Sequence, residues 1–149
     1  MRLALVLCAL ILSVSLPQRV WAATQACAWI VETVEDDGGH KFELNLSADA
    51  AASVSVRFKG PDFTSASMGG EMIQLDPAEP KEVDGEGFDV SAGDDLKFVV
   101  QLFDHPLSLD EAVAPAEKSL ATFVFHRTVG ADEHTPPADL AVKQCGPVG

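Results

Sequence analysis

The sequence contains no tyrosine and few aromatic residues of any kind, with eight Phe and two Trp in 149 residues. Small-molecule pockets are usually lined by apolar and aromatic side chains, with a few polar groups among them. A sugar-cleaving site in particular normally uses aromatic rings to hold its substrate. The composition therefore does not indicate an aromatic binding groove.

Motifs for catalysis are also missing from the sequence. It has no GxSxG or SxxK segment and no Cys-His arrangement that would activate a nucleophile. Paired carboxylates for glycoside chemistry stay open, because their separation is set only by the folded chain. We therefore expect no enzyme and no cofactor.

Metal-binding spacings are absent among the histidines, which have no HxH, HxxxH or HExxH pattern. Two alternatives stay open. Histidines distant in sequence can gather around copper with a methionine, and the acidic clusters can hold calcium weakly, although turn formation also explains those clusters. The residues concerned are His40, His105, His126, His134, Met68, Met72, Glu35, Asp36, Asp37, Asp94 and Asp95.

Basic residues are scarce, with 10 Lys and Arg against 23 Asp and Glu. Loss of the leader described below removes Arg2 and Arg19, which leaves a charge of 8 − 23 = −15. Such a surface repels nucleic acid and anionic membranes. It favours solubility, and it can steer a basic partner toward the protein.

The longest apolar run is Leu3–Leu16, which is shorter than the roughly 20 residues that a membrane-spanning helix needs. Arg2 precedes the run, Pro17 ends it, and small or aliphatic residues follow at Val20 and Ala22. This order is typical of a cleaved secretory signal peptide over residues 1–22. We expect a periplasmic or secreted protein that has no membrane contact after cleavage, with a retained N-terminal anchor as the alternative.

Only three cysteines are present, and Cys8 lies in the leader. The remaining pair, Cys27 and Cys145, lies near the two ends of residues 23–149. An even pair in an exported chain predicts a disulfide. Two reactive or metal-binding thiols are the alternative, but no CxxC or Cys-His spacing supports it.

Residues 23–149 form a single predicted domain, since no repeat or linker divides them. Short runs of alternating apolar residues are separated by Gly, Pro and Asp, which is typical of strands. Asp84, Gly85 and Gly87 lie inside one run and predict a hairpin or a bulge. The predicted strands are 26–34, 41–47, 53–59, 71–75, 81–90, 95–104, 119–129 and 141–145.

One helical signal interrupts these strands. Ser108 and Glu111 form a capping box that predicts a helical turn across a strand connection. Segments 65–70 and 130–137 are predicted loops. The fold class is therefore all-β, an immunoglobulin-like antiparallel β-sandwich of seven to eight strands with one short helical turn.

Three features suggest a family. Cys27 opens the first strand, SVSVRFKG follows at 53–60, and a loop of serine and glycine, SASMGG, follows at 65–70. This pattern resembles the CsgC/CsgH-like family of curli assembly chaperones, small exported sandwiches that keep amyloid subunits from nucleating in the periplasm. The resemblance implies a protein client, an amyloid-forming curli subunit, and no active site. Exposed charges on the middle strands are then the candidate client-binding residues, namely Glu43, Arg57, Lys59 and Asp95.

Two other functions compete with this hypothesis. The chain can be a binding or adhesion module of the cell envelope, or an inhibitor of another protein. It can also be a periplasmic metal-binding protein. The residues alone do not choose between the chaperone and the envelope module.

Overall fold

The computed structural model describes residues 22–62, 64–66, 71–108, 118–130 and 138–149. Nine strands lie within these ranges, and a single turn of 3-10 helix, Ala138–Ala141, precedes the last of them. No helix in the described ranges is long and apolar enough to cross a membrane. The strands are β1 (Gln25–Val34), β2 (His40–Ala48), β3 (Ala52–Lys59), β4 (Thr64–Ala66), β5 (Ile73–Leu75), β6 (Lys81–Phe88), β7 (Asp95–Phe103), β8 (Ala121–Thr128) and β9 (Gln144–Pro147).

The strands form two antiparallel sheets that pack face to face. The first sheet has the order β6-β2-β1-β9, and the second has the order β4-β3-β7-β8, with β5 also paired to β3. The chain passes from the first sheet to the second between β2 and β3, and again between β6 and β7. The pairs β2–β6 and β3–β7 place strands distant in sequence side by side, which is the Greek-key arrangement of an immunoglobulin-like sandwich. The predicted fold class is confirmed.

Alternating residues of the strands build the core. In β2 every second side chain from His40 to Ala48 is buried, and in β7 Leu96, Phe98, Val100 and Leu102 are buried on one face. Successive side chains of a strand point to opposite faces, so this pattern directs one face of each sheet inward. Strand β7 lies between β3 and β8, in the interior of the second sheet.

Phenylalanine rings join the two sheets. The ring of Phe42 lies 4.8 Å from that of Phe88 and 4.8 Å from that of Phe98, centroid to centroid. The Phe98 ring in turn lies 6.2 Å from that of Phe58. Such aromatic pairs add about 0.5–1.5 kcal/mol each beyond the burial of their area. The few aromatic residues of the chain are thus concentrated in its core.

A bulge distorts β6, as the glycines in its sequence predicted. The β2–β6 register shifts between Phe42 and Leu44. A Cβ atom at Gly85 would lie 1.8 Å from the backbone oxygen of Phe42, so only glycine fits there. Glycine serves a different purpose at Gly38 and Gly93, where a Cβ would meet nothing within 4 Å but the φ angles are +88° and +91°.

Strand number and strand ends differ from the prediction. The structure has one strand more than the eight that were predicted. This additional strand is β4, whose residues Ser65 and Ala66 were predicted to lie in a loop. Its backbone pairs with Arg57–Lys59 although its small residues show no alternation. The last strand begins at Gln144 rather than Ala141, because Ala141 belongs to the 3-10 turn.

Several predictions fall outside the described residues. They are the signal peptide apart from Ala22, the helical turn from Leu109 onward, the end of the SASMGG segment at 67–70, and the loop at 131–137.

Candidate functional site

The four predicted client-binding residues lie on two different surfaces. Glu43 is on the outer face of the first sheet, where it forms an ion pair with Lys41. Lys59 pairs with Val99 and Arg57 with Gln101 across β3 and β7. Asp95 is an even number of residues from Val99 and Gln101 along β7, so its side chain is on the same face as theirs. Arg57, Lys59 and Asp95 therefore share the outer face of the second sheet.

Arg57 is not an exposed charge, contrary to the prediction. Only 7% of the residue is exposed, and its guanidinium lies 5.2 Å from the centre of the Phe103 ring. Its Nη1 atom also donates a hydrogen bond of 3.5 Å to Gln101. Phe103 is fully buried although it points away from the core, so this part of the outer face is covered. A cation resting on an aromatic ring explains the position of Arg57.

Lys59 and Asp95 are exposed, as predicted. They lie at different places on the outer face. Lys59 pairs with Val99 in the middle of β7, while Asp95 is the first residue of β7 and pairs with Thr128. The Nδ1 atom of His126 lies 3.9 Å from the Asp95 carboxylate, and the side chains of both are more than half exposed. Lys97 is exposed opposite His126.

Charge is unevenly divided between the two sheets. Strands of the first sheet contain two basic and five acidic residues, whereas strands of the second contain four basic residues and one acidic residue. The second sheet thus has half of the eight basic residues that follow residue 22. These residues are Lys41, Lys81, Glu32, Glu43, Glu82, Asp84 and Glu86 in the first sheet, and Arg57, Lys59, Lys97, Arg127 and Asp95 in the second.

Strand β8 forms an edge of the second sheet and pairs with β7 over eight consecutive residues without a register shift. The amide of Val129 donates to the oxygen of Asp94 on the β7 side. Backbone groups alternate in direction along an antiparallel strand, so Thr122, Val124, His126 and Thr128 direct theirs away from β7. All four residues are exposed. The result is a straight edge of backbone donors and acceptors.

One side chain covers part of this edge. Gln144 of β9 donates from Nε2 to the backbone oxygen of Val124, at 2.7 Å. The neighbouring residue Cys145 is bonded to Cys27, its direct partner in the β1–β9 register. The predicted disulfide is confirmed, and it fixes the strand that carries Gln144.

A buried ionic cluster, which was not among the predicted features, lies between the sheets. The two oxygens of the Glu32 carboxylate accept hydrogen bonds from His40 Nδ1 and from Arg127 Nε, each at 2.7 Å. All three side chains are 1% exposed. Arg127 Nη2 is also buried, and it has no hydrogen-bond partner among the described residues. The cluster joins β1 and β2 of the first sheet to the edge strand β8 of the second.

A signal for this cluster exists in the sequence. Glu32 continues the buried series Ala26, Ala28 and Ile30 of β1, and Arg127 continues Phe123 and Phe125 of β8. Opposite charges at core positions of two strands predict a buried pair. His40 precedes the predicted strand 41–47, but it is the buried first residue of β2.

Two grooves lie on the described surface. One has a volume of about 420 Å³ and the other of about 210 Å³. Within the described ranges, no group of three or more His, Cys, Asp or Glu side chains is placed to hold a metal ion. The first groove is lined by Asp104, Lys118, Ser119, Leu120, Pro147 and Gly149, and the second by Glu71, Met72, Ile73, Gln74 and Lys81.

Comparisons of the chain with protein-family models, with curated proteins and with solved structures give no match.

Proposed function

We propose that this chain is an exported, non-enzymatic chaperone that binds an amyloid-forming subunit of the curli type and delays its assembly. The observation that carries the proposal is the uneven charge of the sandwich. On the outer face of the second sheet, the exposed Lys59 and Lys97 outnumber the acidic Asp95, in a protein whose net charge is strongly negative. Such a face attracts an acidic segment of a client and orients it, and no pocket is needed.

The resemblance of Cys27, SVSVRFKG and SASMGG to the curli assembly chaperones supports the choice of client. The immunoglobulin-like sandwich agrees with the fold that this resemblance implies. The Cys27–Cys145 disulfide is compatible with an oxidising compartment outside the cytosol. These three observations point to the same class of exported protein.

The chemistry that the function requires is modest. A chaperone of this kind meets an aggregation-prone strand briefly and leaves it monomeric, so it needs a soluble body and one attractive face. The high net negative charge supplies the solubility. Exposed lysines on a rigid sheet supply the attraction, and salt screens that attraction over about 8–10 Å at ordinary ionic strength.

The test is an amyloid-formation time course. Protein from Ala23 onward is added, well below equimolar, to a curli-type subunit, and thioflavin fluorescence reports the lag. We expect a longer lag, an effect that added salt weakens. The double variant Lys59→Glu/Lys97→Glu should lose most of this effect.

A matched control separates local charge from net charge. Lys41→Glu/Lys81→Glu changes the net charge equally, but both lysines lie in strands of the first sheet. The control should delay assembly as the unaltered protein does. An unchanged lag with the unaltered protein would contradict the proposal and leave an envelope binding module as the better hypothesis.

A further inference from the structure

We infer that the client adds an extended segment to the edge of β8, as a sixth strand of the second sheet. This inference rests on the proposed function and names the surface where binding takes place. The occupant is a segment of the subunit in strand conformation with acidic or hydroxyl side chains at alternate positions. Strand addition of this kind obtains affinity from main-chain hydrogen bonds and specificity from alternate side chains.

The geometry of β8 meets the requirements of strand addition. Four residues, Thr122, Val124, His126 and Thr128, direct their backbone groups outward along one straight edge. A segment of about eight residues laid against this edge is as long as most strands in globular proteins. The register of β8 with β7 is continuous, so the edge has the regular spacing that an incoming backbone needs.

The other edges of the sandwich fit this role less well. Strand β4 has three residues and β9 has four, which is too short for a stable added strand. Strand β6 is as long as β8, but it contains a bulge at Gly85 and four charged side chains. Bulges and charges are the features by which natural sheets block edge pairing.

Side chains beside the edge select the chemistry of the occupant. An added strand would place alternate side chains next to Val124 and His126 on the outer face, with the Lys97 ammonium one strand behind. No acidic residue lies in β8 itself. An acidic side chain of the client would therefore find opposite charge at Lys97, while a basic strand would find none in β8 and only Asp95, 3.9 Å from His126, on the neighbouring strand.

Gln144 limits access to the edge. Its hydrogen bond occupies the Val124 oxygen, which lies in the middle of the outward row. An incoming strand must displace this side chain to form a continuous ladder. The competition explains why such an edge does not bind every strand, and it predicts that Gln144→Ala binds the client several-fold more tightly.

The decisive experiment compares two variants at one position. Val124→Pro removes the outward amide donor, and proline is tolerated at an edge position of this orientation. Val124→Thr keeps that donor and a β-branched side chain. In the thioflavin assay, we expect the proline variant to lose roughly tenfold in potency, the equivalent of one or two hydrogen bonds, and the threonine variant to keep it. Matching melting temperatures would show that both variants are folded.

Hydrogen exchange on the unaltered protein gives a second, independent measurement. On addition of the monomeric subunit, the amides of Thr122, Val124, His126 and Thr128 should gain protection, while those of Phe123 and Phe125 should not change. This measurement decides the inference if Val124→Pro does not fold.

The outcomes separate the inference from the function. If both Val124 variants delay assembly like the unaltered protein, the function stands and the edge inference is wrong. If the unaltered protein has no effect on the lag, the function is wrong, and protection of the four outward amides decides the edge. Protection would uphold strand addition, and its absence would overturn it. Concentration-dependent dimers with the same protection but no added subunit would assign the edge to a second copy of the chain instead.

Discussion

Strands β6 and β8 are both eight residues long, and each forms an edge of its sheet, yet they differ in almost every other respect. Strand β6 contains two glycines, four charged residues and a register shift. Strand β8 contains neither glycine nor acidic residue, and its register is unbroken. One edge has the features that prevent pairing, and the other lacks them.

The difference shows how two sheets of one domain can divide their tasks. A regular edge is a hazard, because its free donors and acceptors pair with other chains. At β6 the bulge and the charged residues prevent such pairing. At β8 one hydrogen bond from Gln144 limits it. At β8 the protection therefore depends on contacts from other strands, and those contacts can be broken one at a time.

The largest effect is expected from breaking the Cys27–Cys145 bond, which holds the strand that covers β8. The two cysteines are 118 residues apart, and closing a loop of that size restricts the unfolded chain by about 4–5 kcal/mol on the chain-entropy model. Cys27→Ser/Cys145→Ser should lower the free energy of unfolding by that amount in urea titration. Reduction of the unaltered protein serves as the control and should give the same loss. A loss below about 1 kcal/mol would contradict this role of the disulfide.

The next effect concerns the cluster that holds β8 to the first sheet. Glu32→Gln leaves the Arg127 guanidinium buried without a counter-charge, although the amide oxygen can still accept one hydrogen bond. Removing one partner of a buried pair costs about 3–5 kcal/mol, and we expect the lower end, about 3 kcal/mol. Urea unfolding measures the change.

A double variant tests whether the charge itself is responsible. Glu32→Leu/Arg127→Met replaces both charges by apolar side chains of similar size and leaves only the His40 Nδ1 atom without its acceptor. It should therefore recover part of the stability that Glu32→Gln loses. If the double variant is less stable than Glu32→Gln, the cluster contributes through its packing rather than its charge balance.

The cluster also marks the limit of prediction from the sequence. All eight predicted strands are present, because alternation and turn residues such as Gly38 and Gly93 act locally. The cysteine pair could be predicted because only two cysteines, Cys27 and Cys145, lie after residue 22 and they allow one pairing. Strand β4 could not be predicted, since the residues that pair with β3 show neither alternation nor a high apolar content.

The surroundings of the candidate client-binding residues were harder to predict, because they too depend on contacts with other strands. Arg57 lies between the core residues Val56 and Phe58 of β3, a position at which an exposed side chain is expected. Nothing in β3 itself indicates that Phe103 lies beside it on the outer face. The edge position of β8 depends on which strands neighbour it, a property of topology rather than of its sequence. Exposure of Lys59 and Asp95 was predictable, because each lies at the end of a strand.

The third prediction sharpens the contrast between the two edges by altering the bulge of β6. Gly85→Ala places a methyl group against the Phe42 carbonyl, at a distance that the backbone can relieve only by moving. Overpacking of this kind costs about 1–3 kcal/mol, and we expect about 2 kcal/mol. Gly93→Ala is a useful comparison, because its φ is strained for alanine while no atom lies within 4 Å of the new methyl group. Equal losses in the two variants would show that backbone freedom, rather than the bulge, is what Gly85 provides.

The smallest effects concern two ion pairs at the surface. The hydrogen bond that Lys41 donates to the Glu43 carboxylate, followed by the charge of Glu43, raises the pKa of Lys41 in β2. At the end of β7, the hydrogen bond that His105 Nδ1 donates to Asp104, at 2.9 Å, lowers the pKa of Asp104. A raised lysine pKa contributes stability below the unfolded value, which is lost as the pH rises through the folded one. A lowered aspartate pKa contributes stability above the unfolded value, which is lost as the pH falls through the folded one.

NMR titration of side-chain carbons separates these two contributions, because they disappear at opposite ends of the pH scale. His105→Ala should raise the pKa of Asp104 toward its ordinary value of 3.8 without changing Lys41. Glu43→Ala should lower the pKa of Lys41 toward 10.5 without changing Asp104. Both pairs are exposed to solvent, so salt should weaken both shifts. A shift that persists in high salt would show that the hydrogen bond, rather than the charge, perturbs the group. Each surface charge would then act only on its immediate neighbour, and the difference between the two edges would rest on the bulge of β6 and the contacts of Gln144 and Arg127 with β8.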